Sequence, residues 1–434
     1  MKRSIEHKLI KWKNERKRKP LIIRGARQVG KTYSINSFGS KHFTNCVQLD
    51  FERNLSLAKI FEDNLSPKQI ILQIELFSGN KIIPGETLLF MDEIQECERA
   101  LLSLRYFYEE MPELHVITAG SMLEFALKEV SFPVGRVSFE WMYPMSFKEF
   151  LLASKKELLA EAIPNVFDYK PISEIVHNMI IDQLKIYFII GGMPEAVKEY
   201  VEQNSFLKIP KIHEEIFYSY MQTLAKYNKR TDVEELDYLM KTIPKYVGSQ
   251  IKYTTLDPER RIEKTKTALQ ILEKALIIHK IHAANANRLP LGASYSAKIF
   301  KTLFLDIGLM QYTCGIDANS IINEKDLSKI YKGALVEQFV GQELLAAGGS
   351  ENRKLYYWSR REKNSSAEID YLIIRNGKIF PVELKSGPAG RLKSMHIYLD
   401  EIENAETGFV LSPVLHKKQN VNNLTFLPFY SELI

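Results

Sequence analysis

The chain has 434 residues, 45% of them hydrophobic and 26% charged, with a formal net charge of +6 at pH 7. That balance excludes a disordered or fibrous chain and leaves room for about two to four globular domains. No apolar run approaches the roughly 18 residues of a membrane span, so the reading carries no membrane partner. The N-terminus lacks the apolar core of a signal peptide, which points to the cytoplasm. Cys46, Cys97 and Cys314 are scattered and odd in number, a pattern of reduced packing residues and not of a disulfide framework.

In chain order, residues 1–20 come first, with nine bases against two acids. One reading is an arm that contacts phosphates. The other is a docked helix with a solvated basic face, because Ile5, Leu9 and Trp12 recur at helical spacing. The short apolar strand Leu21–Arg24 then enters Gly25, Ala26, Arg27, Gln28, Val29, Gly30, Lys31 and Thr32, with Tyr33 following. This fits G-x-x-x-x-G-K-S/T, the phosphate-binding P-loop. Gly25 and Gly30 let the backbone curl so that successive amides point into one concavity, and a helix starting near Lys31 adds its positive end. Lys31 can reach the β- and γ-phosphates of ATP, and the Thr32 hydroxyl can ligate Mg²⁺.

A buried strand at 87–91 ends in Asp92 and Glu93. Asp92 suits the Mg²⁺ position and Glu93 the role of polarising the attacking water. Strands are also expected at 46–51, 115–119 and 137–142, with helices between most of them. Alternating β and α elements predict a doubly wound, mainly parallel sheet over residues 1–150, with ligands beyond the carboxyl ends of its strands. Thr118 or Ser121, at the end of the fourth strand, can sense the γ-phosphate or orient water. Alternatively, Ser121 is a helix cap completed by Glu124. Arg136 is a candidate arginine finger for its own or a neighbouring subunit's nucleotide, or a surface turn arginine.

Residues 151–230 read as helices broken by Gly191, Gly192, Met193 and Pro194, a lid that can respond to nucleotide. Residues 231–330 suggest a winged helix. Ala268, Leu269, Leu272, Ala275 and Leu276 share one helical face, while Arg260, Arg261, Lys264, Lys266 and Lys274 lie largely off it, a distribution suited to DNA or to protein packing. In 331–434, Asn376-Gly377 is a strong hairpin signal. It would set Arg375 opposite Lys378, Asp370 opposite Glu383 and Glu368 opposite Lys385. Directly opposed carboxylates repel, which makes sense with a divalent cation between Asp370 and Glu383. Lys385 would then orient water or stabilise charge, and Glu337 would either supply a third acid or cap or pair locally. A Glu368–Lys385 salt bridge that offsets the clash is the alternative.

Together these residues resemble a prokaryotic family of AAA-type ATP-binding proteins with a C-terminal domain of unknown function. The resemblance rests on Gly25–Thr32, the run Leu88–Gln95, Ala119-Gly120-Ser121, Val134-Gly135-Arg136, Gly191-Gly192-Met193-Pro194 and Asp306-Ile307-Gly308-Leu309. It implies an α/β multidomain chain: ATPase core, helical lid, winged helix and a C-terminal α/β restriction-endonuclease-like domain. It also places that domain's acid-x-Asp and Glu-x-Lys pattern on Glu368, Asp370, Glu383 and Lys385. The functions left open are an Mg-dependent ATPase with a DNA-related task, a slow ATP-controlled switch binding a protein partner, and an ATP-regulated metal-dependent nuclease. A homo-oligomer is compatible with each.

Overall fold

A computed structural model describes residues 1–121, 123–126, 135–227, 233–293, 295–324, 333–348, 354–362, 365–385, 392–402, 405, 407–415, 420–421 and 423–434. It divides into two units, Met1–Tyr143 and Pro144–Ile434. In the first, β1 (Leu21–Arg24), β2 (Asn45–Asp50), β3 (Thr87–Asp92), β4 (His115–Gly120) and β5 (Ser138–Trp141) form one sheet. Its order is β2-β3-β4-β1-β5, and every pairing is parallel. The expected strands are all present, shifted by at most a residue. Parallel strands are covered on both faces, so they read as continuous apolar runs; every residue of β3 is buried. The helix Glu98–Glu110 covers the sheet with Ala100, Leu101, Leu104 and Phe107, at the spacing of one helical face.

The basic N-terminus is a docked helix. Ile5–Lys13 buries Ile5, Leu9 and Trp12. Several of the segment's bases are used internally: Arg3 donates to the carbonyls of Val29 and Tyr143 at 2.8 and 2.7 Å. Lys8 pairs with Glu140 at 3.2 Å, and Arg18 donates to the carbonyls of Pro112 and Glu113.

The second unit opens with the helices Phe147–Ala153, Glu157–Glu161, Glu174–Ile190, Pro194–Gln203 and Ile209–Tyr227. An eight-stranded sheet follows, built from β6 (Ile278–Ala284), β7 (Tyr295–Phe304), β8 (Tyr356–Glu362), β9 (Ser365–Arg375), β10 (Lys378–Leu384), β11 (Gly408–Ser412), β12 (Asn420–Val421) and β13 (Leu424–Pro428). Its order is β12-β13-β11-β10-β9-β8-β6-β7. β6 and β7 pair as an antiparallel hairpin. It does not stand apart, because β6 runs parallel to β8 through His282–Tyr356 and Ala283–Tyr357. The division expected between 330 and 331 is therefore crossed by one sheet.

Two glycine-containing motifs meet within this unit. Asp306 caps the helix Ile307–Thr313 through the amides of Gly308 and Leu309, and its other oxygen accepts from the Gly192 amide at 2.6 Å. Gly191 has φ 73°, and a Cβ there would collide with the Asp306 carboxylate. Gly191-Gly192 and Asp306 thus form one structural clasp, so no ligand chemistry is needed to account for them.

Glu343 carries a pH-dependent part of this unit's stability. Its Oε1 accepts from the Phe147 amide at 2.9 Å. Burial pushes the carboxyl up to about 8 from an unfolded value of 4.5, with nearby Glu149 adding to the shift. Between those values the folded chain holds a proton that the unfolded chain has released. Stability from this group is therefore complete below pH 4.5 and falls by about 1.4 kcal/mol per pH unit up to about 8. Glu343→Gln keeps an acceptor for Phe147 and should flatten that slope, measured as the wild-type-minus-variant difference in denaturant unfolding at pH 5 to 8.

Candidate active site

The first site forms at the carboxyl ends of β1 and β3. Gly30 has φ 91° and Gln28 φ 63°, the left-handed conformations that curl the loop. A Cβ on Gly25 would strike the Met142 carbonyl, so the end of β5 leaves room only for glycine there. The helix Lys31–His42 starts directly after the loop. Lys31 is 6% exposed, and its ammonium donates to the carbonyls of Gly25 and Ala26 at 2.9 Å each. Burial pulls it down to about 8, against the opposing charges of Glu93 and Asp92. Arg27 lies 3.4 Å from Glu52, and the Tyr33 hydroxyl accepts from the N-terminal amine.

Thr32 Oγ1 donates to Asp92 Oδ2 at 2.8 Å, which brings the two expected Mg²⁺ ligands of neighbouring elements together. Gln48 reaches the same oxygen at 3.3 Å, and the Glu93 amide donates to Oδ1. Burial raises the Asp92 carboxyl to about 6. A hydroxyl and a carboxylate in contact beside an ammonium are hard oxygen donors suited to Mg²⁺, so these residues fit the ion that a P-loop implies.

Glu93 sits at φ 47°, an uncommon conformation for this residue type that is typical of functional turns. Its Oε2 accepts from Gln95 at 2.6 Å and from Ser121 at 3.2 Å. Ser121 therefore turns toward Glu93; the Glu124 side chain of the alternative capping box lies outside the described residues. Gln95 was not singled out from sequence, although its place two residues after Glu93 was a usable signal.

Two sequence candidates fall elsewhere. Thr118 lies inside β4 opposite Ile22 and Met91, 0% exposed, with its hydroxyl unpaired among the described residues. It is enclosed by the sheet two residues before the end of β4. Arg136 precedes β5 at the amino-terminal edge of the sheet, where Ser138 faces Leu21, and pairs with Glu109 at 3.0 Å. The P-loop leaves the opposite edge, roughly 16 Å of strand away. The reading of Arg136 as a finger for its own nucleotide is thus corrected by strand direction.

The C-terminal hairpin follows the expected register from Arg375–Lys378 to Tyr371–Val382. The ladder then ends. Glu383 pairs along β11 with Val410, and the Leu384 amide donates to Asp370 Oδ2 at 2.8 Å. A bulge in the β8–β9 pairing also breaks strict alternation, so Ile369 and Leu372 enter one core cluster with Met395 and Tyr398. Lys385 bridges Glu383 at 2.5 Å, which corrects the expected Glu368–Lys385 pair. Glu368, Asp370 and Glu337 converge instead on Lys301 of β7, a residue the sequence reading did not consider. Gln250 donates to Glu368 and also lines a cleft of about 400 Å³ with Asn285, Trp358 and Ser359. Among the described residues no group of three His, Cys, Asp or Glu is arranged to hold a metal.

The fold and P-loop geometry define an AAA-type P-loop ATPase. Consistent with this, an AAA domain family matches residues 17–151. Two further families follow, a domain of unknown function (DUF8612) at 181–320 and another (DUF4143) at 332–431. Residues 17–151 thus form an AAA ATPase domain, and two domains of unknown function follow it. No curated protein sequence matches the chain.

Among solved structures, the Walker-type ATPase PABY2304 of Pyrococcus abyssi overlaps at TM-score 0.46 and 14% identity, over 72% of this chain and 95% of that one. Thermotoga maritima RuvB, a Holliday junction branch migration motor, overlaps at 0.29 and 15%, over 68% and 89%. Aeropyrum pernix ORC1 in complex with DNA overlaps at 0.28 and 9%, over 74% and 94%. At these scores none bears on function. Among the described residues no helix is long and apolar enough to cross a membrane.

Proposed function

We propose that this ATPase is Mg²⁺-dependent and acts on DNA. The loop Gly25–Gly30 would receive the phosphates of ATP on its amides, with the Lys31 ammonium moving from its carbonyl partners to the β- and γ-oxygens. Thr32 and Asp92 would hold Mg²⁺, which supplies charge neutralisation on the phosphates when bound. Glu93 orients the attacking water and accepts its proton. Gln95 and Ser121 fix the orientation of that carboxylate.

The observation that carries the DNA reading is the helix Ile262–Lys274. It buries Ala268, Leu269 and Leu272, and it exposes Lys264 and Lys266, with exposed Arg261 immediately before its first residue. With the helix Val233–Thr242, the short helix Tyr253–Leu256 and the β6–β7 hairpin, it follows the order of a winged helix. Arg260 does not belong to that basic face, since it pairs with buried Glu235 at 2.9 Å.

Lys264→Glu/Lys266→Glu should weaken binding to duplex DNA of any sequence. It should also reduce the slope of log affinity against log salt by about 2. Fluorescence anisotropy across a salt series tests this. Wild-type affinity and slope in the variant would remove this helix from DNA contact.

A further inference from the structure

Lys301 lies on β7 and is 0% exposed. Its Nζ is 2.8 Å from Glu337 Oε1, 2.5 Å from Glu368 Oε1 and 3.5 Å from Asp370 Oδ1. The Tyr357 ring centroid lies 5.4 Å away. One ammonium therefore gathers three of the carboxylates that a nuclease reading assigns to metal chemistry. The remaining oxygens of two of them are held as well: Glu368 Oε2 accepts from Gln250, and Asp370 Oδ2 accepts from the Leu384 amide. Glu383 is bridged by Lys385.

A divalent cation does not fit among Glu337, Glu368 and Asp370 in this arrangement. It would have to sit beside a buried ammonium that already contacts the same carboxylates, and away from solvent that repulsion is less screened than at the surface. Like charges on opposed acids need a cation between them, but not necessarily a metal. The lysine comes from outside the C-terminal family match at 332–431 and enters through the sheet that joins β6–β7 to β8.

We propose that Lys301 is the resident cation of this cluster, its ammonium standing where a metal nuclease would carry a divalent ion, so that the folded chain excludes Mg²⁺ and Mn²⁺ from Glu337, Glu368 and Asp370. This inference does not depend on the DNA reading or on ATP turnover.

The test uses the full chain without nucleotide, titrated with Mn²⁺ and followed by the electron paramagnetic resonance signal of the free ion. Wild type and Asp370→Asn should bind Mn²⁺ identically, because any ion taken up elsewhere is common to the two. A wild-type site that disappears in Asp370→Asn would overturn the proposal. Lys301→Met should gain one Mn²⁺ per chain and lose it again in Lys301→Met/Asp370→Asn. Mn²⁺ should also raise the unfolding midpoint of Lys301→Met by more than it raises that of wild type, where any shift comes from ions common to both proteins. A folded Lys301→Met with no added site would equally overturn it. If Lys301→Met does not fold, the comparison of wild type with Asp370→Asn decides alone.

Discussion

Glu93→Gln is expected to bind ATP and to lose nearly all hydrolysis, by about 10²–10⁴-fold, the usual contribution of a general base. Glutamine preserves the size of the side chain and an oxygen that can accept from Gln95 and Ser121. What it cannot do is take a proton from water. Lys31, Thr32 and Asp92, which form the binding side of the site, are untouched. The split between retained binding and lost turnover separates a chemical role from a structural one. A fluorescent ATP analogue reads binding, and phosphate release in a single turnover reads chemistry. Wild-type release by the variant would remove Glu93 from the reaction.

The second large effect concerns stability. Lys301→Ala should destabilise the second unit by about 3–5 kcal/mol, the range seen when one partner of a buried ion pair is removed. The alanine leaves Glu337, Glu368 and Asp370 facing one another without their shared ammonium. Packing loss alone would predict no remedy from charge removal. The charge account predicts that adding Glu337→Gln to Lys301→Ala recovers part of the loss, because it removes the least exposed of the three acids, whose carboxyl burial already pushes up. Guanidinium unfolding of the three proteins decides between the two. A double variant no more stable than Lys301→Ala would favour packing.

The ATPase core was legible because its signals are local. Leu21–Thr32 carries strand, turn and helix start within twelve residues, and the buried run 87–91 declares a parallel strand by its composition. The Asn376-Gly377 turn likewise fixed its own hairpin register, since loop type sets pairing. What sequence could not show was set by distant chain. Lys301 looks like any strand lysine until β7 joins the same sheet as β9, and only then is it enclosed by three acids. Arg136 failed as a finger for its own nucleotide for a related reason: its proximity to the family motifs along the chain says nothing about which edge of the sheet it occupies. The clasp of Gly191-Gly192 with Asp306 belongs here too. It was legible as two separate motifs and becomes one structure only when the helix Ile307–Thr313 is set against the end of Glu174–Ile190.

Steady-state ATP hydrolysis by the wild-type chain in Mg²⁺, measured with and without duplex DNA at low salt, tests the central claim most directly. The account predicts a rate that DNA changes, with the change fading as salt rises and absent in Lys264→Glu/Lys266→Glu. A rate that DNA leaves unaltered, together with no measurable DNA binding under the same conditions, would contradict it.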